Sequence, residues 1–270
     1  MRRRFGQSLR LGIALDGLAL LRVGGWPKPV AEVLTLQPVE TGAPDALENG
    51  LRALLRDVQP RRWPVSVVLA DELVRLWQVT PPPGASRPAD LQAAAALRYQ
   101  ALFGAMPSDW RISADWGTRQ PFLAAAAPQA LLALLESLAR EHRCYLVEVA
   151  PQFVAALNAS RRVRRHGAWF GLVHGELLSL AAYEGAALAA VRTAVIPEGA
   201  GRDWLNERVA REALRLGVAR PALLQLAGPA PQGWAGADGS TAFACTLLGG
   251  QDAAPDWPLH AQLARTGLGA

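Results

Sequence analysis

The stretch Leu9–Leu36, LRLGIALDGLALLRVGGWPKPVAEVLTL, decides the fold. Three apolar runs are separated by Asp16-Gly17 and by Gly24-Gly25. Such breaks suit tight turns, so the stretch reads as a three-stranded meander. A second stretch repeats the plan: Ala168–Ile196, AWFGLVHGELLSLAAYEGAALAAVRTAVI, breaks at His174-Gly175 and at Glu184-Gly185. Two copies at long spacing imply a duplicated α/β architecture rather than a solenoid, which stacks more repeats than two.

Working outward, Thr41–Val58 carries Leu47, Leu51, Leu54, Leu55 and Val58 on a helical stripe. Val65–Ala70 is a continuous apolar run of the kind a buried central strand needs. The next segment has its own rhythm. A strand over Leu73–Val79 is followed by the break Pro81-Pro82-Pro83-Gly84 and a helix over Pro88–Phe103. A strand pair over Trp110–Trp116 and Pro121–Ala126, a helix over Gln129–His142 and a strand over Tyr145–Val149 complete it. This β-α-β-β-α-β order is that of a ferredoxin-like module, expected as an insert. A short helix over Pro151–Ser160 leads to the run Arg161, Arg162, Arg164, Arg165. After the second meander come a helix over Asp203–Leu216, a strand over Ala222–Ala227, a Gly/Pro-rich loop over Gly228–Ser240 and a strand over Phe243–Leu248. Beyond Gln251 the pattern is weak, with one helical turn around Leu259–Ala264. The expected division is 1–72 for a first half, 73–150 for the insert and 151–270 for a second half.

Composition narrows the chemistry. The chain has 270 residues, half of them hydrophobic, so it is globular with room for real cores. Its net charge is +5, and Lys28 is its only lysine. A P-loop lysine is therefore excluded, and a Schiff-base lysine could only be Lys28, lodged between two prolines. Cys144 and Cys245 sit in apolar surroundings and read as buried free thiols. No HExxH, G-x-S-x-G, CxxC or Walker-type arrangement occurs. No stretch reads as a membrane-spanning helix, and Arg10 and Asp16 interrupt the apolar run after Arg2-Arg3-Arg4, so a cytoplasmic protein is expected.

In order and spacing, these elements resemble the actin-like (ribonuclease H-like) superfold. Within it they are similar to the branch of the pilus-assembly protein PilM and the cytoplasmic domain of the secretion protein GspL. The opening G-I-D-I-G-S-S of that branch is matched by Gly12-Ile13-Ala14-Leu15-Asp16-Gly17-Leu18. Val74–Pro81 precede the helical stretch Leu91–Leu102 as in the family. Phe122–Ala127, Gln129–His142 and Leu146–Ala150 follow its strand-helix-strand order. Leu226-Ala227-Gly228 matches the L-A-G that opens the family's adenosine-side loop. The fold class implied is an α/β, actin-like duplicated fold with a ferredoxin-like insert in its first half.

The departures point away from catalysis. Nucleotide-binding relatives place an aspartate at each first turn to organise Mg²⁺ around the phosphates. Here Ala14 stands at the first such position, Asp16 lies two residues later, and no aspartate occurs between Asp115 and Asp203. Asp16 reads as a turn residue and His174 as a solvent-facing hairpin histidine, imidazole being a poor ligand for a hard cation. Gly17-Leu18-Ala19 lacks the hydroxyls of the family's turn. Ala14, Asp16, Gly17, His174, Gly175 and Gly228 are thus vestigial positions, with no cofactor and no metal expected. The resemblance implies a non-enzymatic scaffold at the inner face of the inner membrane, docking the cytoplasmic tail of a single-pass membrane partner and meeting the cytosolic assembly ATPase. The alternative is an actin-like ATPase or phosphotransferase using ATP with Mg²⁺. A nucleic-acid role is not expected, because the arginines are spread along the chain without a binding signature. The Arg161–Arg165 run reads as a solvated linker face, with a phosphate-rich partner as the other reading. Among the nine tryptophans, Trp63, Trp77, Trp110 and Trp116 are expected around the insert.

Overall fold

Strand β1 (Ser8–Ile13) runs antiparallel to β2 (Gly17–Gly24), and β2 runs antiparallel to β3 (Val30–Pro38). Helix α1 (Ala46–Val58) then carries the chain back, so that β4 (Pro64–Leu69) lies parallel to β1. Leu51, Leu54 and Leu55 recur at helical spacing on α1 and are at most 4% exposed. Burial of each contributes about 1.5–3 kcal/mol, which fixes the helix on the sheet. The computed structural model describes residues 6–25, 30–40, 45–104, 107–117, 120–236, 243–248 and 257–268. Arg2–Arg4, Lys28 and the first residues of the expected Thr41–Val58 helix lie outside them.

The insert follows a single 3-10 turn at Asp71–Leu73. It comprises β5 (Arg75–Val79), α2 (Pro88–Phe103), β6 (Trp110–Ala114) and β7 (Phe122–Pro128), paired in the order β5-β7-β6. Its core joins Trp77, Val79, Leu91, Ala95, Tyr99 and Phe122, with Trp77 and Tyr99 meeting edge to face at 5.3 Å. Helix α3 (Gln129–Glu141) and β8 (Tyr145–Pro151) do not complete a six-element module here. Strand β8 pairs parallel with β4, and α3 buries Leu131, Leu135 and Leu138 in the same core as Leu51, Leu54 and Trp63. The physical reason is that α3 turns its leucine stripe toward the larger apolar sheet, and β8 follows it. The insert sheet therefore has three strands. Trp63, expected near the insert, belongs to the core of the first half.

Helix α4 (Gln152–Ala159) leads into the second half. There β9 (Trp169–His174), β10 (Leu177–Glu184), β11 (Ala187–Val195), α5 (Arg202–Leu216), β12 (Leu223–Ala227) and β13 (Ala244–Leu248) repeat the plan. The strand order β11-β10-β9-β12-β13 matches β3-β2-β1-β4-β8 position for position. Each half is a five-stranded mixed sheet opened by a meander, as its two parent stretches imply.

Two helices cross between the halves. Phe153 of α4 is fully buried against Phe170, with rings 5.7 Å apart, in a cluster that also takes in Leu172, Leu188 and the insert's Leu76 and Leu123. In return α6 (Leu259–Arg265) lies on β1 and β2 of the first half, with Ala261, Leu263 and Ala264 fully buried. The weak pattern beyond Gln251 thus hides two turns of helix. The insert also rests on β11, where Gln78 Nε2 donates to the carbonyl of Leu188 at 2.7 Å.

Candidate functional site

The β1–β2 and β9–β10 turns face the start of α6, and the bend after β12 packs on the end of β9. At the first turn, Ala14 N–H donates to Gly17 O at 2.9 Å and closes the hairpin. Leu15 N–H donates to the carboxylate of Glu72 at 2.9 Å. Two N–H groups of the kind that would cradle phosphate oxygens are therefore satisfied within the chain, one of them by an anion. Asp16 does not close the turn through its side chain. Its Oδ1 lies 2.8 Å from His260 Nε2, and its carbonyl accepts from Val39 N–H. A hydrogen bond to His260 holds the Asp16 carboxyl below its ordinary value. A Cβ at Gly17 would meet the His260 ring at 2.5 Å, so glycine leaves the room in which His260 reaches Asp16.

At the second turn, His174 is half-buried rather than solvent-facing. Burial lowers its pKa, and the nearby His260 lowers it further. Gly175 adopts φ +54°, and the methyl carbons of Leu259 lie 3.6 and 3.7 Å from where its Cβ would stand. The start of α6 is thus wedged between the turns, with His260 on Asp16 and Leu259 on Gly175. Gly228, expected from the sequence as a vestigial loop position, has φ +83° and packs so tightly that a Cβ would lie 2.1 Å from Val173 O. The loop it opens folds back on its own lobe. Trp234 is 1% exposed, stacks on Trp204 at 5.6 Å and donates from its indole to Ala200 O. Residues 237–240 of that loop lie outside the described residues.

Asp71, just after β4, accepts from Phe153 N–H at 3.0 Å and so caps the crossing helix α4. Burial pushes its carboxyl up to about 6. Cys144 and Cys245 are free, and burial raises both thiols.

Among the described residues, no group of three or more His, Cys, Asp or Glu side chains is placed to hold a metal ion. Asp16 is engaged by His260, and Glu72 presents negative charge where a triphosphate would need positive charge or N–H donors. These residues do not fit a magnesium-bound nucleotide. Glu72, Asp71 and His260 escaped sequence reasoning. His260 lies 244 residues from Asp16, and no local signal joins them.

At the level of sequence, neither a protein-family model nor a curated protein matches this chain. Its backbone does match solved structures. One is the cytoplasmic domain of EpsL, an inner-membrane component of the type II secretion system of Vibrio cholerae, with TM-score 0.60 and 15% identity over 97% of this chain and 94% of that one. A second is the PilM-PilN type IV pilus biogenesis complex, with TM-score 0.60 and 17% identity over 97% and 99%. A third is a Bacteroides thetaiotaomicron protein of actin-like ATPase fold and unknown function, with TM-score 0.55 and 11% identity over 84% and 83%. The chain therefore has the actin-like fold expected from its sequence, in the form shared with PilM and EpsL. No helix among the described residues is long and apolar enough to cross a membrane.

Proposed function

We propose that this protein is a non-catalytic docking scaffold of a pilus or type II secretion assembly platform. It would sit at the inner face of the inner membrane, hold the cytoplasmic tail of a single-pass membrane partner and meet the cytosolic assembly ATPase. The observation that carries the non-catalytic part is the closed first turn, where Glu72 and His260 take up the groups that a nucleotide and its metal would need. Likeness over nearly the whole chain to EpsL and to PilM of the PilM-PilN complex supports the platform part. An extended tail is captured through backbone hydrogen bonds and side-chain pockets, so the role needs no reactive group.

Isothermal titration with Mg-ATP tests the first part, and no saturable heat is expected. Micromolar binding would instead favour an actin-like ATPase or phosphotransferase. Pull-down by a synthetic peptide of the cytoplasmic tail, taken from an adjacently encoded single-pass protein, tests the second part. Retention of the full chain is the expected result.

A further inference from the structure

The second half is polarised along its strands. Strands β9 and β12 run parallel, with Trp169 beside Leu224, so the segments leading into both lie at one end of the sheet. That end carries exposed Arg161, Arg162, Arg165 and His166 before β9, and exposed Arg220 before β12. It lies opposite the β9–β10 turn that faces α6. Among the described residues, none of Arg161, Arg162, Arg165 or Arg220 is ion-paired with a carboxylate, Glu184 of the neighbouring β10–β11 hairpin included.

The arginine turn is held in place rather than left loose. Ser160 is 1% exposed; its Oγ donates to Leu157 O, and its carbonyl accepts from Val163 and Arg164 N–H. Gln225 of β12, 3% exposed, clamps the turn with both ends of its amide. It accepts from Arg165 N–H at 2.7 Å and donates to Val163 O at 3.2 Å. Arg164 bonds the hydroxyl of Tyr183 and lies over its ring, which fixes its charge at the base of the turn. Arg161 and Arg162, with Asn158 and Ala159, line an open cavity of about 600 Å³. Val163, 49% exposed, stands between the arginines as an apolar tip.

We propose that this basic end binds the phosphate headgroups of an anionic lipid bilayer. A shallow, broad array of arginines with no ion pair among the described residues, around an exposed valine, suits a flat anionic surface with apolar material just beneath it. Residues 158–167 and 218–222 include no Phe, Tyr or Trp to form a stacking platform for bases, which disfavours single-stranded nucleic acid. The contact is direct. It goes beyond the scaffold reading, in which a protein partner supplies the membrane link.

The test is co-sedimentation of the full chain with vesicles. Binding is expected on phosphatidylcholine vesicles containing phosphatidylglycerol, absent on phosphatidylcholine alone, and weakened by salt. Each arginine near such a surface contributes about fivefold, so the variant R161Q/R162Q/R165Q should lose roughly a hundredfold in partitioning. Arg192→Gln, an exposed arginine on β11, should lose nothing. Equal binding by the triple variant, or no binding by the native chain, overturns the proposal. Tighter binding to duplex DNA than to the anionic vesicles, lost in the same variant, also overturns it and assigns the turn to nucleic acid. Retention of the triple variant by the tail peptide is measured in parallel. A variant that fails on vesicles and is retained by the peptide loses the lipid contact alone.

Discussion

The two halves share one strand order, yet their opening strands are guarded differently. In the first half, Gly12 of β1 lies beneath α6, where a Cβ would meet the backbone of Ala264 at 2.8 Å and of His260 at 2.9 Å. In the second, Gly171 of β9 lies beneath side chains, and a Cβ would meet Leu226 Cδ2 at 2.5 Å. A helix backbone cannot yield, whereas a leucine methyl can rotate away. The difference teaches that apolar alternation fixes the duplicated frame, while each half settles separately what covers its sheet and its turns.

The largest expected effect reverses what the distances alone suggest. Gly171 has the shorter clash, yet Gly12→Ala should destabilise by about 3 kcal/mol and Gly171→Ala by about 1 kcal/mol, read as denaturation midpoints. Equal losses would show that α6 shifts as easily as a side chain.

The positions that follow the matching strands β4 and β12 come next. Asp71 stands after the first and Gly228 after the second. The folded-state pKa of Asp71, about 6, lies above its ordinary 3.8. The native state therefore binds the proton more tightly than the unfolded chain. Stability falls as pH rises from about 4 to about 6, by up to about 3 kcal/mol. Asp71→Asn, which keeps an oxygen for Phe153 N–H, should flatten that slope. Chemical denaturation at a series of pH values measures it, and an unchanged slope would detach the effect from this residue.

The smallest effect concerns the turns themselves. His260→Ala removes the partner of Asp16 and should cost about 1 kcal/mol. The Asp16 pKa is depressed, so this contact is present above its ordinary value of 3.8 and is lost as pH falls through the lower folded value. His174→Ala removes a half-buried ring with no hydrogen bond to Asp16 and should leave the Asp16 titration, followed by NMR, closer to native than His260→Ala does.

Much of the frame was legible because it is periodic. The glycine breaks at Asp16-Gly17 and His174-Gly175 mark hairpins, the leucines of α1 mark a buried stripe, and Val65–Ala70 mark a central strand. Membership of a sheet was less legible. Tyr145–Pro151 has the pattern of any strand, and only its parallel pairing with β4 assigns it to the first half. The site was least legible. Asp16, Gly17 and Gly175 meet the start of α6 and Gly228 packs on Val173, and these contacts come from far along the chain. His260 sits in a stretch whose short apolar run gives little periodicity. Glu72 looks like any exposed acid until Leu15 N–H is placed against it.

The exchange of α4 and α6 has a consequence for how this protein can be divided. For a cut just after α4, Phe153 falls by chain order on the first piece and by burial with the second, and Leu263 does the reverse. Such a cut therefore yields no self-sufficient fragment, since each piece leaves behind a helix that seals its sister. Reunited pieces could regain the native form only by trading those helices back, as in fragment complementation.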